Sequence, residues 1–244
     1  MSQPGQPGQD PARRAELAER LHRVGQRIDA ACAAAGRDPA ELALIAITKT
    51  RPASDVRLLY ELGQRDFGEN RDQEAAPKAA RCADLPITWH FVGQLQTNKA
   101  PSVVRYAVVV QSVDRLRLVR ALGTAARRQE RALTCLIQVS LTGTADDPGR
   151  GGAPQDEVPA LAEALAAEEG LVLGGIMAVA PLGVPAADAF AGLAPASAAV
   201  RAVWPSATII SAGMSGDLEE AVTAGATHLR IGTALLGDRR LPVM

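Results

Sequence analysis

The sequence predicts an α/β chain: a single (β/α)8 barrel of the TIM type preceded by an N-terminal helix. Eight short apolar runs of strand length alternate with helical stretches over 244 residues, the size of one such barrel. The first run is unbroken, as in a strand covered on both faces in a parallel sheet. No G-x-G-x-x-G turn follows it, which weakens the rival architecture, an open doubly wound sheet that binds dinucleotides.

Residues 1–12, MSQPGQPGQDPA, are polar and rich in Pro, Gly and Gln; they are expected to form a disordered tail, with 13–244 as one domain. They lack the apolar core of a signal peptide. From about Ala12 to Ala35, Leu17, Leu21, Val24 and Ile28 recur at helical spacing, with His22 among the solvated positions. Gly36–Pro39 ends that helix, and Leu42–Lys49 (LALIAITK) is the first strand. Ser54–Asp55 can cap a helix running through Leu58, Leu59 and Leu62 to Gly63. Asp66–Gly68 forms the second strand and runs into Glu69–Asn70. A polar helix follows from Arg71 to about Arg81, with Lys78 read as a surface charge.

TWHFVG at 88–93 is the third strand, with Lys99 read as a second surface charge beyond it. Tyr106–Val110 is the fourth, and Asp114 caps a helix over Arg115–Arg128. Leu133–Val139 is the fifth, before a Gly/Asp-rich loop at 142–152 expected to be mobile. The helix Gln155–Glu168 stops at Gly170. Leu171–Val179 is the sixth strand and Ala186–Val203 a helix; Thr208–Ile210 is the seventh strand, followed by a short helix near Ser215–Ala224. His228–Ile231 makes the eighth.

A net charge of −1 gives no electrostatic footprint for nucleic acid or an acidic membrane, and 3% aromatics leave few stacking platforms for single strands. Cys32, Cys82 and Cys135 are far apart, odd in number and outside any metal-ligand spacing, so they read as bystander thiols with no metal site. No apolar run approaches the roughly 20 residues a membrane span needs. The expectation is a cytoplasmic protein with no nucleic-acid or membrane partner.

Two stretches carry chemistry. Lys49 ends the first strand, at the mouth where barrels keep their sites; an ammonium stripped of water by apolar walls there becomes a nucleophile for carbonyls. The alternative is a surface lysine. Small residues crowd the ends of strands seven and eight: Ser211, Ala212, Gly213, Ser215 and Gly216, then Gly232 and Thr233. Only small side chains let backbone N–H groups close on an anion, and these two loops are the usual phosphate site of the barrel. A Schiff-base lysine and a phosphate cradle on one mouth point to pyridoxal 5'-phosphate. Arg230 then suits the pyridine nitrogen, or else forms a salt bridge at the barrel rim.

LALIAITKTRP, FGENRDQE at 67–74, WHFVGQLQTNK at 89–99, GGIMAVAP at 174–181 and SAGMSGDLEEAVTAGATHLRIGTALLG at 211–237 resemble the YggS/PROSC family of pyridoxal-phosphate homeostasis proteins. The resemblance implies a barrel like the N-terminal domain of alanine racemase, with Lys49 as the Schiff-base lysine. It implies Ser211, Gly232 and Thr233 on the phosphate, Met214 and Ser215 lining the cradle, and Arg230 against the cofactor at ring nitrogen or phosphate. Asn70 would lie near the ring. The chain departs from the family pattern in the threonine before the lysine, in GENRDQE without its tyrosine, and in the loop after strand five.

The resemblance implies a carrier that buffers pyridoxal phosphate and supplies it to apoenzymes, with effects on amino-acid and keto-acid pools, and a monomer. His90 reads as a packed, hydrogen-bonded histidine. The alternatives are a racemase-like enzyme and a Schiff-base aldolase acting on a sugar phosphate without pyridoxal. Racemisation needs an acid/base on each face of a carbanion. The only tyrosines are Tyr60, inside a predicted barrel helix, and Tyr106, and the sequence ends just after strand eight; turnover is therefore not expected.

Overall fold

The computed structural model describes residues 10–141 and 151–237. Helix α1, Pro11–Ala35, starts with Pro in its first turn and Asp10 as its N-cap, whose carboxylate accepts from Arg13 N at 2.9 Å. The helix thus takes the last two residues of the stretch expected to be tail, because Asp10-Pro11 is a helix start signal. Residues 1–9 and 142–150, and with them the rest of that tail and most of the loop at 142–152, lie outside the described residues. At the other end Gly36 closes α1 in the left-handed region, φ 65°.

Eight strands follow in a closed, all-parallel barrel in the order β1 to β8. They are β1 Ala43–Ile47, β2 Asp66–Glu69, β3 Thr88–Phe91, β4 Val109–Val113, β5 Leu133–Gln138, β6 Leu171–Met177, β7 Ile209–Ser211 and β8 His228–Ile231. Between them run α2 Ala53–Glu61, α3 Asp72–Ala80, α4 Ala100–Val103, α5 Leu116–Arg128, α6 Val158–Ala167, α7 Ala186–Phe190, α8 Leu193–Val203 and α9 Leu218–Thr223. A last short helix, α10 Thr233–Leu236, follows β8.

The fourth strand departs from its predicted place. Tyr106 and Ala107 still donate to the Val103 carbonyl at the end of α4, so the strand begins only at Val109 and runs on through Gln111 and Ser112. A purely apolar criterion ends that strand too early, because its inward face includes a polar layer. The helix expected over 186–203 is two helices: Gly192 breaks it, and Pro195, which has no N–H to offer, falls in the first turn of α8. Neither expected side-chain cap forms. Pro52 precedes α2 and Arg115 precedes α5. Asp55 instead turns inward to pair with Arg13 at 2.6 Å, and Asp114 pairs with its neighbour Arg115.

The main apolar core lies between strands and helices and draws on nearly every element. A smaller apolar cluster, Val109, Leu136 and Met177 flanked by Val179 and Ile209, lies inside the barrel. Ile45 and Ile47 of β1 also turn toward the interior, Ile47 as part of the wall of a cavity at the mouth, and with them stand the polar and charged residues His90, Gln111, Ser211 and Arg230. The three cysteines are free and buried, one each on α1, after α3 and in β5. Among the described residues no helix is long and apolar enough to cross a membrane.

Candidate functional site

A cavity of about 800 Å³ opens at the C-terminal mouth, walled by Lys49, Asn70, Met214, Ser215, Arg230, Gly232 and Thr233 among others. Seven of the eight residues picked out from the sequence therefore face one space.

Lys49 lies two residues past the end of β1, on a turn in which Thr50 adopts φ 64° and Arg51 N donates back to the Thr48 carbonyl at 3.0 Å. The expected desolvation is absent. Lys49 is exposed, because the turn lifts it off the strand end into the open mouth. What holds it is beneath it. Thr48 is fully buried; its hydroxyl donates to Glu69 Oε1 at 2.5 Å, and its carbonyl accepts from Lys78 Nζ at 2.7 Å. Lys78 also donates to Glu69 Oε1 at 2.5 Å.

The expectation of a surface Lys78 is therefore wrong. Its side chain is 6% exposed and its carboxylate partner fully buried, because Lys78 reaches from the last turn of α3 to the ends of β1 and β2. Burial pushes the Glu69 carboxyl above its ordinary range, against the pull of Lys78 and of the Thr48 hydrogen bond. The second Glu69 oxygen is buried without a partner among the described residues. Glu74 completes the support, accepting from Thr50 N at 2.9 Å.

Across the cavity the loops after β7 and β8 form the cradle. Gly213 makes the first turn possible: it sits at φ 88°, and a Cβ there would come within 2.6 Å of Ala221 Cβ. Asp217 accepts from Met214 N at 2.5 Å, and Ser215 Oγ accepts from Ala234 N at 3.1 Å, tying the β7 loop to α10. The N–H groups of Ser215, Gly216 and Thr233 take no acceptor among the described residues. Helix α1 braces this loop from outside. Arg27 donates to the Ser215 carbonyl at 3.0 Å and forms a bidentate pair with Glu219 of α9.

Arg230 rises from β8 into the cavity floor, 4% exposed. Its partners are neutral: Nη1 donates to Ser211 Oγ at 2.8 Å and Nη2 to the Ala178 carbonyl at 2.7 Å. Burial lowers its pKa to about 10, so it remains cationic at neutral pH. The reading of a rim salt bridge for Arg230 finds no carboxylate among these hydrogen-bond partners.

Ser211 is the residue that does not reach the cavity. It is fully buried below the floor, and its hydroxyl is committed to Gln111 and Arg230. As the last residue of β7 it points into the barrel one layer beneath the cradle. His90 is packed and hydrogen-bonded as expected, 3% exposed between Asp66 and Gln111. Asn70 shares a wall with a second cavity of about 640 Å³, which Lys99 also lines, so Lys99 is not simply a helix-surface charge. The Asn70 carbonyl would come within 2.0 Å of any Cβ at residue 93, which explains Gly93.

The Glu69–Lys78 pair and Gln111 were not singled out in the sequence. A glutamine inside the run AVVVQSV was the available signal.

The alanine racemase N-terminal domain family matches residues 21–240 of this chain. A pyridoxal phosphate homeostasis protein of Mycobacterium tuberculosis is 43% identical over 252 residues, covering 95% of this chain and 96% of its own. That of Escherichia coli is 36% identical over 230 residues, covering 92% and 97%.

The chain belongs to the pyridoxal phosphate homeostasis protein family.

A solved relative within reach of this family is PipY of Synechococcus elongatus with pyridoxal phosphate bound. It is 35% identical, with a TM-score of 0.77, and the match covers 91% of this chain and 100% of PipY. Alanine racemase of Corynebacterium glutamicum, 14% identical with a TM-score of 0.68, shares only the fold, and the match covers 62% of that enzyme. The homeostasis family and the racemases thus have a barrel in common at very different sequence distances.

Proposed function

We propose that this chain binds pyridoxal 5'-phosphate at the mouth of its barrel and takes part in intracellular homeostasis of that cofactor, holding, buffering and supplying it. One observation carries the reading: an amine, a set of uncommitted backbone N–H donors and a buried cation line a single cavity. The residues present fit the cofactor. Lys49 supplies the amine for its aldehyde. Ser215, Gly216, Gly232 and Thr233 supply N–H groups and small side chains for the phosphate, with Met214 on the cradle wall. Arg230, with neutral partners and N–H groups to spare, suits an acceptor at the ring nitrogen, and Asn70 lies beside the ring. When bound, the cofactor supplies an aldehyde that condenses reversibly with amines.

The exposure of Lys49 suits a carrier, since an incoming amine can reach the same carbon. Borohydride reduction of the loaded protein, followed by digestion and mass spectrometry, is expected to place the pyridoxyl group on Lys49. A label on any other residue sinks the assignment.

We read the chain as a carrier without turnover, located in the cytoplasm, acting as a monomer and passing cofactor to apoenzymes. Its curated relatives are named for homeostasis and not for a reaction. Neither tyrosine lines the cavity. Tyr106 donates to Asp72 at 3.4 Å, with burial raising its phenol, and the Tyr60 ring lies against Arg65. A second-face acid/base of the racemase kind has no candidate in those two residues. Incubation with L-alanine is expected to yield no D-alanine by chiral analysis; accumulation of the D-isomer would reinstate the enzyme reading.

A further inference from the structure

Beneath the cavity floor a chain of hydrogen bonds crosses the barrel interior, and the cofactor-binding reading uses only its last member, Arg230. It begins at Asp66 on β2, one-third exposed, whose Oδ1 lies 3.0 Å from His90 Nε2 on β3. His90 Nδ1 lies 2.9 Å from Gln111 Nε2 on β4. Gln111 Oε1 accepts from Ser211 Oγ on β7 at 2.7 Å, and Ser211 Oγ accepts from Arg230 Nη1 on β8 at 2.8 Å. Gln111 and Ser211 are fully buried and His90 nearly so, so water does not substitute for any central link.

The direction of each bond follows from the chemistry of its neighbours. A guanidinium only donates, so Ser211 Oγ must accept from Arg230. Ser211 has one proton left to place, and the group facing it is Gln111. If the amide were turned the other way, both neighbours of Ser211 would be donors and its own proton would lack an acceptor. Gln111 therefore presents Oε1 to Ser211 and its NH2 to His90. His90 Nδ1 must then be the bare nitrogen, and its proton sits on Nε2, pointing at the Asp66 carboxylate. The chain thus has a single sense, running from a cation at the mouth to an anion near the opposite end.

We propose that Gln111 is a positioning residue: through Ser211 it locks Arg230 in the orientation that aims the remaining guanidinium N–H groups into the cavity, and through His90 it ties that lock to Asp66. The ligand class served is an aromatic nitrogen acceptor, the ring of pyridoxal phosphate, and this part rests on the function proposed above. A lone guanidinium on a flexible side chain loses rotamer freedom on binding a ligand; one already held by Ser211 and the Ala178 carbonyl does not. His228, facing His90 from β8, stays outside the chain. Its Nδ1 is occupied by Thr227 Oγ1 at 2.9 Å, and burial lowers its pKa to about 4, so at neutral pH it adds no competing charge.

The test uses the full-length chain with two substitutions. Gln111→Leu removes both links at nearly constant volume. Gln111→Glu keeps an acceptor for Ser211 but offers His90 no donor. In protein stripped of cofactor, long-range proton–nitrogen NMR spectra report the His90 tautomer, and guanidinium spectra report rotation of the Arg230 side chain. Wild type is expected to show His90 with its proton on Nε2 and a locked Arg230. Q111L frees the guanidinium, whereas Q111E keeps it locked and moves a proton onto His90 Nδ1.

In a titration with pyridoxal phosphate, Q111L is expected to bind about tenfold more weakly, while Q111E stays within about threefold of wild type, the difference between losing and keeping a net hydrogen bond. An Nδ1-protonated His90 in wild type, or an Arg230 equally locked in Q111L, overturns the proposal. If Q111L does not fold, an unchanged His90 tautomer in Q111E overturns it alone. If wild type takes up no pyridoxal phosphate, the cofactor reading fails, and the stripped-protein spectra still decide the lock.

Discussion

Lys78 shows how much a single side chain can contribute without touching a ligand. Its ammonium satisfies a main-chain carbonyl at the end of β1 and a carboxylate at the end of β2 at once, and so fixes the residue from which the Lys49 turn departs. A pair this deep gains little over an apolar substitute of the same shape, but removing one member strands the other. Lys78→Met is expected to lower stability by about 3–5 kcal/mol in urea unfolding. The sign of its pH dependence follows from Glu69. Burial already raises that carboxyl, and without Lys78 the raise grows, so the folded form increasingly favours the protonated acid. The deficit should be largest above the ordinary carboxylate range and shrink as pH falls. A deficit that does not change with pH would mean that Glu69 is solvated after all.

Among residues the sequence was legible wherever a backbone rule acts locally. Lys49 at a strand end and the small residues of the two cradle loops follow from what a barrel mouth requires. Lys78 and Gln111 were not legible as partners, because each acquires its meaning from residues 9 to 100 positions away. Ser211 was chosen as a small residue after a strand; it is instead the last residue of β7, and parity turns it into the barrel interior.

At the scale of elements, α1 is more than a cover for the barrel. Arginines on it and just past its cap reach the carbonyls of the last third of the chain: Arg27 holds Ser215, and Arg37, one residue beyond Gly36, holds Val222 and Ala226. The first helix therefore steadies the cradle formed by the seventh and eighth units, a long-range tie that periodicity alone cannot reveal. Arg27→Gln removes the bidentate pair with Glu219 and weakens the grip on the Ser215 carbonyl. Both side chains of that pair are partly exposed, so the stability cost should stay within about 1 kcal/mol. Affinity for pyridoxal phosphate is expected to fall up to about fivefold, the equivalent of that energy, with the unfolding midpoint nearly unmoved. A large loss of stability with unchanged affinity would show that α1 acts on the fold and not on the cradle. Element existence was readable from period and punctuation; the fourth strand and the divided helix at 186–203 were not, for the reasons of interior polarity and Gly192 given above.

For the whole molecule, closure is the decisive property. Eight parallel strands leave no sheet edge to pair with another chain. Among the described residues the exposed large apolar side chains are Val108, Leu116, Val172, Leu182, Val184 and Trp204, distributed over several elements. Apart from Leu182 and Val184, which share the loop after β6, they are separated along the chain, and singly placed apolar residues do not make an association surface. Light scattering coupled to gel filtration is expected to give a monomer at micromolar concentration; a dimer mass would overturn that reading. The barrel itself was the most legible feature of all, since eight strand-length runs alternating with helices in one chain of this length leave few other arrangements.

The three buried thiols have one further consequence. Sulfhydryl groups add to aldehydes as readily as amines do, and a reactive one near the mouth would trap the cargo in competition with Lys49. Cys32, Cys82 and Cys135 all sit inside the packing, and burial raises each above the usual thiol range, which suppresses the thiolate that would attack. The host therefore offers its guest nitrogen chemistry alone, and alkylating reagents should leave that exchange untouched.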